Sequence, residues 1–192
     1  MHIASRSGCH AGKPVRECGL AKETAMREIM DIHEDIRRME LQEERLRFAA
    51  FEASTAWELG LLLRQAGEAR RAPIVVDIRL WTMPLLTFAL PGAAPANFDW
   101  ARRKRNAVAH FHRSTYLLGR AFARDGKTLA DQGDLPERDY AVHGGGFPIW
   151  LAGAGCVGAV TVSGLPQRED HNFVVAALAQ ILNIDLADIA LD

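Results

Sequence analysis

Between Pro73 and Leu90 the chain reads PIVVDIRLWTMPLLTFAL, two strand-like runs whose gap is too short for anything but an antiparallel hairpin. Ile74, Val76, Ile78 and Leu80 alternate with Val75, Asp77, Arg79 and Trp81, the period of two of a strand. Pro84 followed by Leu85–Leu90 supplies the returning strand. A second unit of this kind lies near the C-terminus, over roughly Tyr140–Leu151 and Cys156–Ser163, with a turn at Ala154-Gly155. Pro148 puts the first of these strands at a sheet edge or marks a strand start, because proline cannot donate to a ladder. Two hairpins commit the chain to one mainly antiparallel sheet.

Helical periodicity fills the rest. From about Glu28 to Ala50, apolar residues recur at Ile29, Ile32, Ile36, Met39, Leu46 and Ala50, with Glu43 interrupting the seam. This predicts an amphipathic helix packed on the domain or on a neighbouring subunit. A second helix begins near Ser54, where Thr55 and Glu58 have capping-box spacing, and carries a stripe of Leu59, Leu62, Leu63 and Ala66. A third, DWARRKRNAVAHFHRS, is capped by Asn97 or Asp99 and gives way to a loop over ARDGKTLADQGDLPERD. The last helix presents Phe173, Val174, Ala177, Leu178 and Ile181, with Pro166, Glu169 and Asp170 suited to its N-terminal end. Helix, helix, hairpin, helix, hairpin, helix predicts an α+β, profilin-like layer: a mainly antiparallel sheet with helices against it.

Charge and hydropathy exclude several functions. With 23 basic and 24 acidic residues, the net charge of −1 provides no field to gather nucleic acid. The Arg102–Arg105 run, without an aromatic platform, reads as a solvated helix face. No apolar run approaches the ~20 residues of a membrane span, and the N-terminus has no apolar signal core. The expectation is a soluble cytoplasmic protein of one domain, residues 26–192, behind a flexible extension over 1–25. Cys9, His10 and Cys18 in that extension lack the spacing of a zinc site, and three cysteines cannot all pair.

The stretch HGGGFPIWLAGAGCVGAVTVSG, His143–Gly164, holds two suggestive glycine motifs. An oxyanion hole at HGGG requires a G-x-S-x-G elbow downstream, and none follows. A dinucleotide fingerprint at GAGCVG must open a helix, whereas these glycines run into the β-branched AVTVS. Both are rejected. Gly158 and Ala159 then read as a close approach of helix to strand. Gly144, Gly145 and Gly146 remain, at a cost in backbone entropy that implies a ligand or another chain lying against them.

On the third helix Trp100, Lys104, Ala107, Val108 and Phe111 share a face, so a lysine stands inside an apolar stripe while Arg102, Arg103 and Arg105 point to solvent. An unpaired buried ammonium is costly, so Lys104 either snorkels to solvent or has a partner: an ion pair with Asp77 or Asp170, or a ligand carboxylate. Asp170 and His171 are adjacent on a helix and diverge by ~100°, so they do not form an acid–base pair. The Asp170 carboxylate can instead hold backbone amides of the glycine-rich strand. No nucleophile–base–orienter set is present in the chain.

The C-terminal block resembles the haem-degrading GlcG/HbpS-like family, in its bacterial and fungal branch. The likeness rests on Gly145-Gly146-Phe147-Pro148-Ile149, Gly155–Ala159, Ser163-Gly164 and Asp170, with Val75–Asp77 and Lys104 in support, over about residues 30–185. The family continues its first strand with a D-x-x-G turn, where this chain has Asp77-Ile78-Arg79-Leu80-Trp81. The resemblance implies a profilin-like fold, a homo-oligomer and a small-molecule ligand pocket that binds or degrades haem, or takes another small ligand. Without a Cys-x-x-Cys-His sequence, haem binding would be noncovalent. The implied site gathers Lys104, His143, Gly144, Gly145, Gly146, Asp170 and Asp77, with His110, His112, His143 and His171 as the histidines to weigh for the iron. The alternative is a non-catalytic assembly or chaperone-accessory protein whose glycine run abuts another subunit.

Overall fold

The computed structural model describes residues 15–191, with side chains from residue 30 onward. The extension expected over 1–25, with Cys9, His10 and Cys18, falls outside the residues so described, except that the backbone of α1 (Val15–Arg45) already begins at Val15. After α1 come β1 (Arg47–Phe48), α2 (Ala53–Arg70), β2 (Val75–Leu80), β3 (Met83–Ala89), α3 (Pro95–Phe111) and α4 (Thr115–Asp125). The chain then forms β4 (Gly146–Leu151), β5 (Gly155–Ser163) and α5 (Gln167–Ile181).

The two expected hairpins are β2–β3 and β4–β5, and they join through β2 and β5 in one sheet of order β1-β4-β5-β2-β3. All pairs are antiparallel except β1 with β4, where only Arg47 and Phe48 meet Trp150 and Leu151. Pro148 therefore lies on a strand whose outer side is otherwise unpaired, as a missing donor requires. Strand alternation sorts the sheet into two faces. Val76, Ile78, Phe147, Ile149, Val160 and Val162 join Leu59, Leu63, Phe173, Val174 and Leu178 of α2 and α5 in the main core. The other face lies under α3.

Helix ends depart from the expectations in instructive ways. α2 starts at Ala53, and Thr55 Oγ1 accepts from the Glu52 amide at 3.3 Å, so the capping pair is Glu52–Thr55 and not Thr55–Glu58. α3 starts at Pro95, and Asn97 caps it from its third position by accepting from the Ala94 amide at 2.8 Å. α4 was hidden in sequence because no glycine or proline separates it from α3. The break is made by His112 in the left-handed region, φ 54°. α1 packs on α4 within the same chain, burying Ile36 and Met39 with Tyr116 and Leu117. Glu43, the interruption in its seam, is buried to serve α4: its carboxylate accepts from the Ser114 amide at 2.6 Å, at the helix's positive end, and meets Arg113 Nε at 2.6 Å.

Candidate functional site

Lys104 is buried on α3 with Ala107 and Val108, as the periodicity predicts, and with Ala101, while Trp100 and Phe111 of the expected stripe are half-buried. Its Nζ donates to Asp170 Oδ2 at 2.8 Å and to the Val162 carbonyl at 3.0 Å. Asp170, in the first turn of α5, accepts in addition from the amides of Leu165 (3.0 Å) and Gly164 (3.4 Å). It thus holds the β5–α5 turn, not the amides of residues 144–146. Burial pushes Lys104 down and Asp170 up from their ordinary values, and each is the chief charge opposing that drift in the other.

The glycine run explains how this pair can form. Gly145 has φ +116°, and a Cβ there would overlap the Val162 carbonyl and crowd Lys104 Nζ and Asp170 Cβ. A Cβ on Gly144 would overlap the Gln167 carbonyl of α5, and one on Gly146 would crowd Thr115 and Val108. What lies against the three glycines is therefore the protein's own α5, β5, α3 and α4. The expected ligand or neighbouring chain is not needed, and all three are buried. Gly158 likewise makes room for the Arg79 carbonyl of β2, across the strand pair, rather than for a helix.

Asp77 is drawn into a different cluster. Its carboxylate accepts from Arg79 Nε at 2.9 Å, Thr87 Oγ1 at 2.7 Å and Arg105 at 2.6 Å, tying β2, β3 and α3 together. Lys104 therefore pairs with Asp170 and not with Asp77. The Arg102–Arg105 neighbours do not simply face water. Arg102 bonds Asp139 and the Arg138 carbonyl, Arg103 lies over the Trp100 ring at 4.2 Å, and Arg105 holds Asp77.

His143 is the residue of the run that faces solvent. It is positioned by the segment before it, which is laced along α3: Asn106 Nδ2 donates to the Asp139 carbonyl at 2.9 Å, and the Ala141 amide to the Arg103 carbonyl at 3.1 Å. Its ring meets Trp100 edge-on at 5.0 Å. Burial, then the charges of Lys104 and Arg103, lower its pKa, so the imidazole is neutral at neutral pH.

His143 and Trp100 form a ridge between two clefts. One, about 240 Å³, reaches Lys104, Asp170 and Gln167. The other, about 340 Å³, runs between α3, α4 and the Tyr140–His143 segment, with Phe122 and Tyr140 on its walls and Arg103 and Lys127 at its sides. Among the described residues Arg103 Nε is buried without a hydrogen-bond acceptor. Such a surface suits a flat, largely apolar ligand with negative groups. Of the residues expected at the site, Lys104, His143 and Asp170 converge, the glycines lie behind them, and Asp77 lines neither cleft. Arg103, Lys127 and Tyr140 were not singled out; the Trp100–Arg103 spacing of three was the available signal for the first. Among the described residues no three His, Cys, Asp or Glu gather in a metal-holding group, and no helix is long and apolar enough to cross a membrane.

A family model described as haem degrading protein HbpS-like matches residues 51–179. The chain belongs to the HbpS-like family. A UPF0303 protein of Azotobacter vinelandii is 49% identical over 163 residues, covering 85% of this chain and 98% of the relative. A UPF0303 protein of Rhizobium rhizogenes is 52% identical over 162 residues, covering 84% and 99%. Among solved structures, Ybr137w superposes with a TM-score of 0.72 at 27% identity, covering 77% of this chain and 87% of that one. HbpS itself (TM-score 0.55, 22% identity, 71% and 92% covered) and a PduOC:heme complex (0.57, 19%, 68% and 94%) share the α+β fold of this HbpS-like chain.

Proposed function

We propose that this HbpS-like protein binds haem, or a similarly flat acidic ligand, noncovalently at the clefts flanking His143. One observation carries the reading: a solvent-facing imidazole held neutral, fixed against Trp100, with Arg103 and Lys127 lining the same cleft. The family's description and the PduOC:heme neighbour support haem as the ligand class. The residues fit that group. His143 would offer a ring nitrogen to the iron, Trp100, Phe122 and Tyr140 would shield the macrocycle, and Arg103 and Lys127 would meet its carboxylates. Haem, when bound, supplies the redox chemistry; the chain orients it and excludes water. Lys104 is a positioning residue in this reading, since Asp170 and the Val162 carbonyl already take its ammonium.

Haemin titrated into the protein should give a saturable Soret change. His143→Ala should weaken it about tenfold or more, and His110→Ala should leave it unchanged. A titration that never saturates, or one indifferent to His143→Ala, overturns the proposal.

A further inference from the structure

Apart from the clefts at His143, with which it shares no lining residue, a polar cleft of about 370 Å³ opens where α1 meets α4 and α5. Asp31, Glu34, Asp35 and Arg38 line it from one face of α1, three, one and three residues apart. Arg120 of α4 and Arg168 of α5 close it. Its walls are fixed relative to one another, because α1 and α4 bury Ile36, Met39, Tyr116 and Leu117 between them.

The charges of this cleft do not all find partners. Asp31, Glu34 and Asp35 crowd one turn of α1, where like charges repel. Glu34 is answered by Arg37 and by Arg38, the latter at 3.1 Å. Asp35 is answered twice at the same oxygen, Oδ2, by Arg120 at 3.1 Å and Arg168 at 2.8 Å. Asp31 has neither an ion pair nor a hydrogen bond among the described residues. Arg120, its side chain 26% exposed, has only its share of Asp35, and its Nε is buried without an acceptor among the described residues. Asp31 and Arg120 face the same space from different helices, and no ion pair joins them.

We infer that this cleft binds a small zwitterion, an amino acid with its amine and carboxylate both free, its ammonium at Asp31 and its carboxylate at Arg120. A ligand of one sign fails at one end. An anion such as phosphate meets the carboxylates of Asp31 and Glu34, and a bare cation meets the guanidiniums of Arg120 and Arg168. A molecule carrying both signs makes a charge-assisted contact at each end. The volume agrees: small-molecule sites span about 300–1,000 Å³, so the cleft holds such a ligand with room for a side chain. Because helix packing fixes the distance from Asp31 to Arg120, the cleft discriminates by the spacing between amine and carboxylate. Joining the two ends in one molecule makes the second contact intramolecular, so the zwitterion binds more tightly than either half alone.

The test titrates the ω-amino acids from glycine to ε-aminocaproate into the full chain by isothermal calorimetry. One length should bind saturably, and the plain carboxylate and the plain amine of that length should each bind about tenfold more weakly or less. Asp31 is exposed, so Asp31→Asn leaves the fold intact. It should remove the preference for the amino acid over the plain carboxylate. Arg120→Gln, with unchanged circular dichroism, should remove the preference over the plain amine. Saturable binding by no member of the series, equal binding of the plain carboxylate or amine, or a preference indifferent to Asp31→Asn each overturns the inference. His143→Ala should leave this binding unchanged, and no haem enters these measurements, so this inference and the ligand reading fail separately.

Discussion

Lys104 Nζ and Asp170 Oδ2 stand 2.8 Å apart with side chains only 4% and 2% exposed, and this pair joins α3 to the first turn of α5. Neither charge has water to fall back on, so each depends on the other and on the Val162 carbonyl and the Gly164 and Leu165 amides. Removing one partner strands a buried charge, while removing both does not. Lys104→Met should therefore destabilise the protein by about 3–5 kcal/mol. The double variant Lys104→Met/Asp170→Leu should recover a substantial part of that loss, as read by urea unfolding midpoints. A double variant as unstable as the sum of its singles would refute the coupling.

Gly145 and Gly153 both have positive φ, +116° and +81°, but a Cβ at 145 meets the Val162 carbonyl and one at 153 meets nothing. Gly153→Ala should cost about 1 kcal/mol, the backbone term alone. Gly145→Ala adds overpacking beside a buried ion pair and should cost at least about 2 kcal/mol more. Thermal unfolding of the two variants side by side checks the difference.

His171 is wholly buried, with Nε2 against Gln42 Oε1 at 2.8 Å and the ring beside Tyr116 and Phe147. Burial, aided by the Arg168 charge, depresses its pKa to about 3. In the unfolded chain it titrates near 6.5, so below that value the unfolded state binds the extra proton. The stability tied to the neutral ring is fully present above pH ~6.5 and is lost progressively as pH falls toward 3, on the order of 5 kcal/mol in all. His171→Gln, which keeps an amide for Gln42 and does not titrate, should flatten the pH dependence over this window. An unchanged slope would assign the acid sensitivity to other groups.

The lowered pKa of His143 makes a distinct statement about the ligand site. Because the fold lowers the pKa of this imidazole, haemin binding should be lost on acidification at a lower pH than the titration of an ordinary imidazole would set. Arg103→Ala should raise the haemin Kd a few-fold by removing both a cation and the cap on Trp100. Absorbance titrations at several pH values test both statements.

Cys156 is pushed up to about 11 by burial, so it is a thiol at neutral pH. Alkylation by iodoacetamide in the folded protein should be much slower than that of free cysteine, and denaturant should remove the difference.

Alternation in Ile74–Leu80 and the short gap before Leu85 were enough to specify the β2–β3 hairpin, because a period of two and a chain too short to cross over admit one arrangement. The lysine inside the α3 stripe could likewise be read as buried and partnered, since helical geometry alone places it with Ala107 and Val108. The choice between Asp77 and Asp170 lay beyond local pattern. It was made by the sheet order, which sets β5 beside β2 and carries Arg105 to Asp77 and Lys104 to Asp170. The same holds for Gly144–Gly146: sequence marks them as places where something comes close, but only packing of α5, β5 and α4 shows that the visitor is the chain itself. Local periodicity reports which face of an element is buried; what it is buried against depends on residues far along the chain, and that only the folded structure decides.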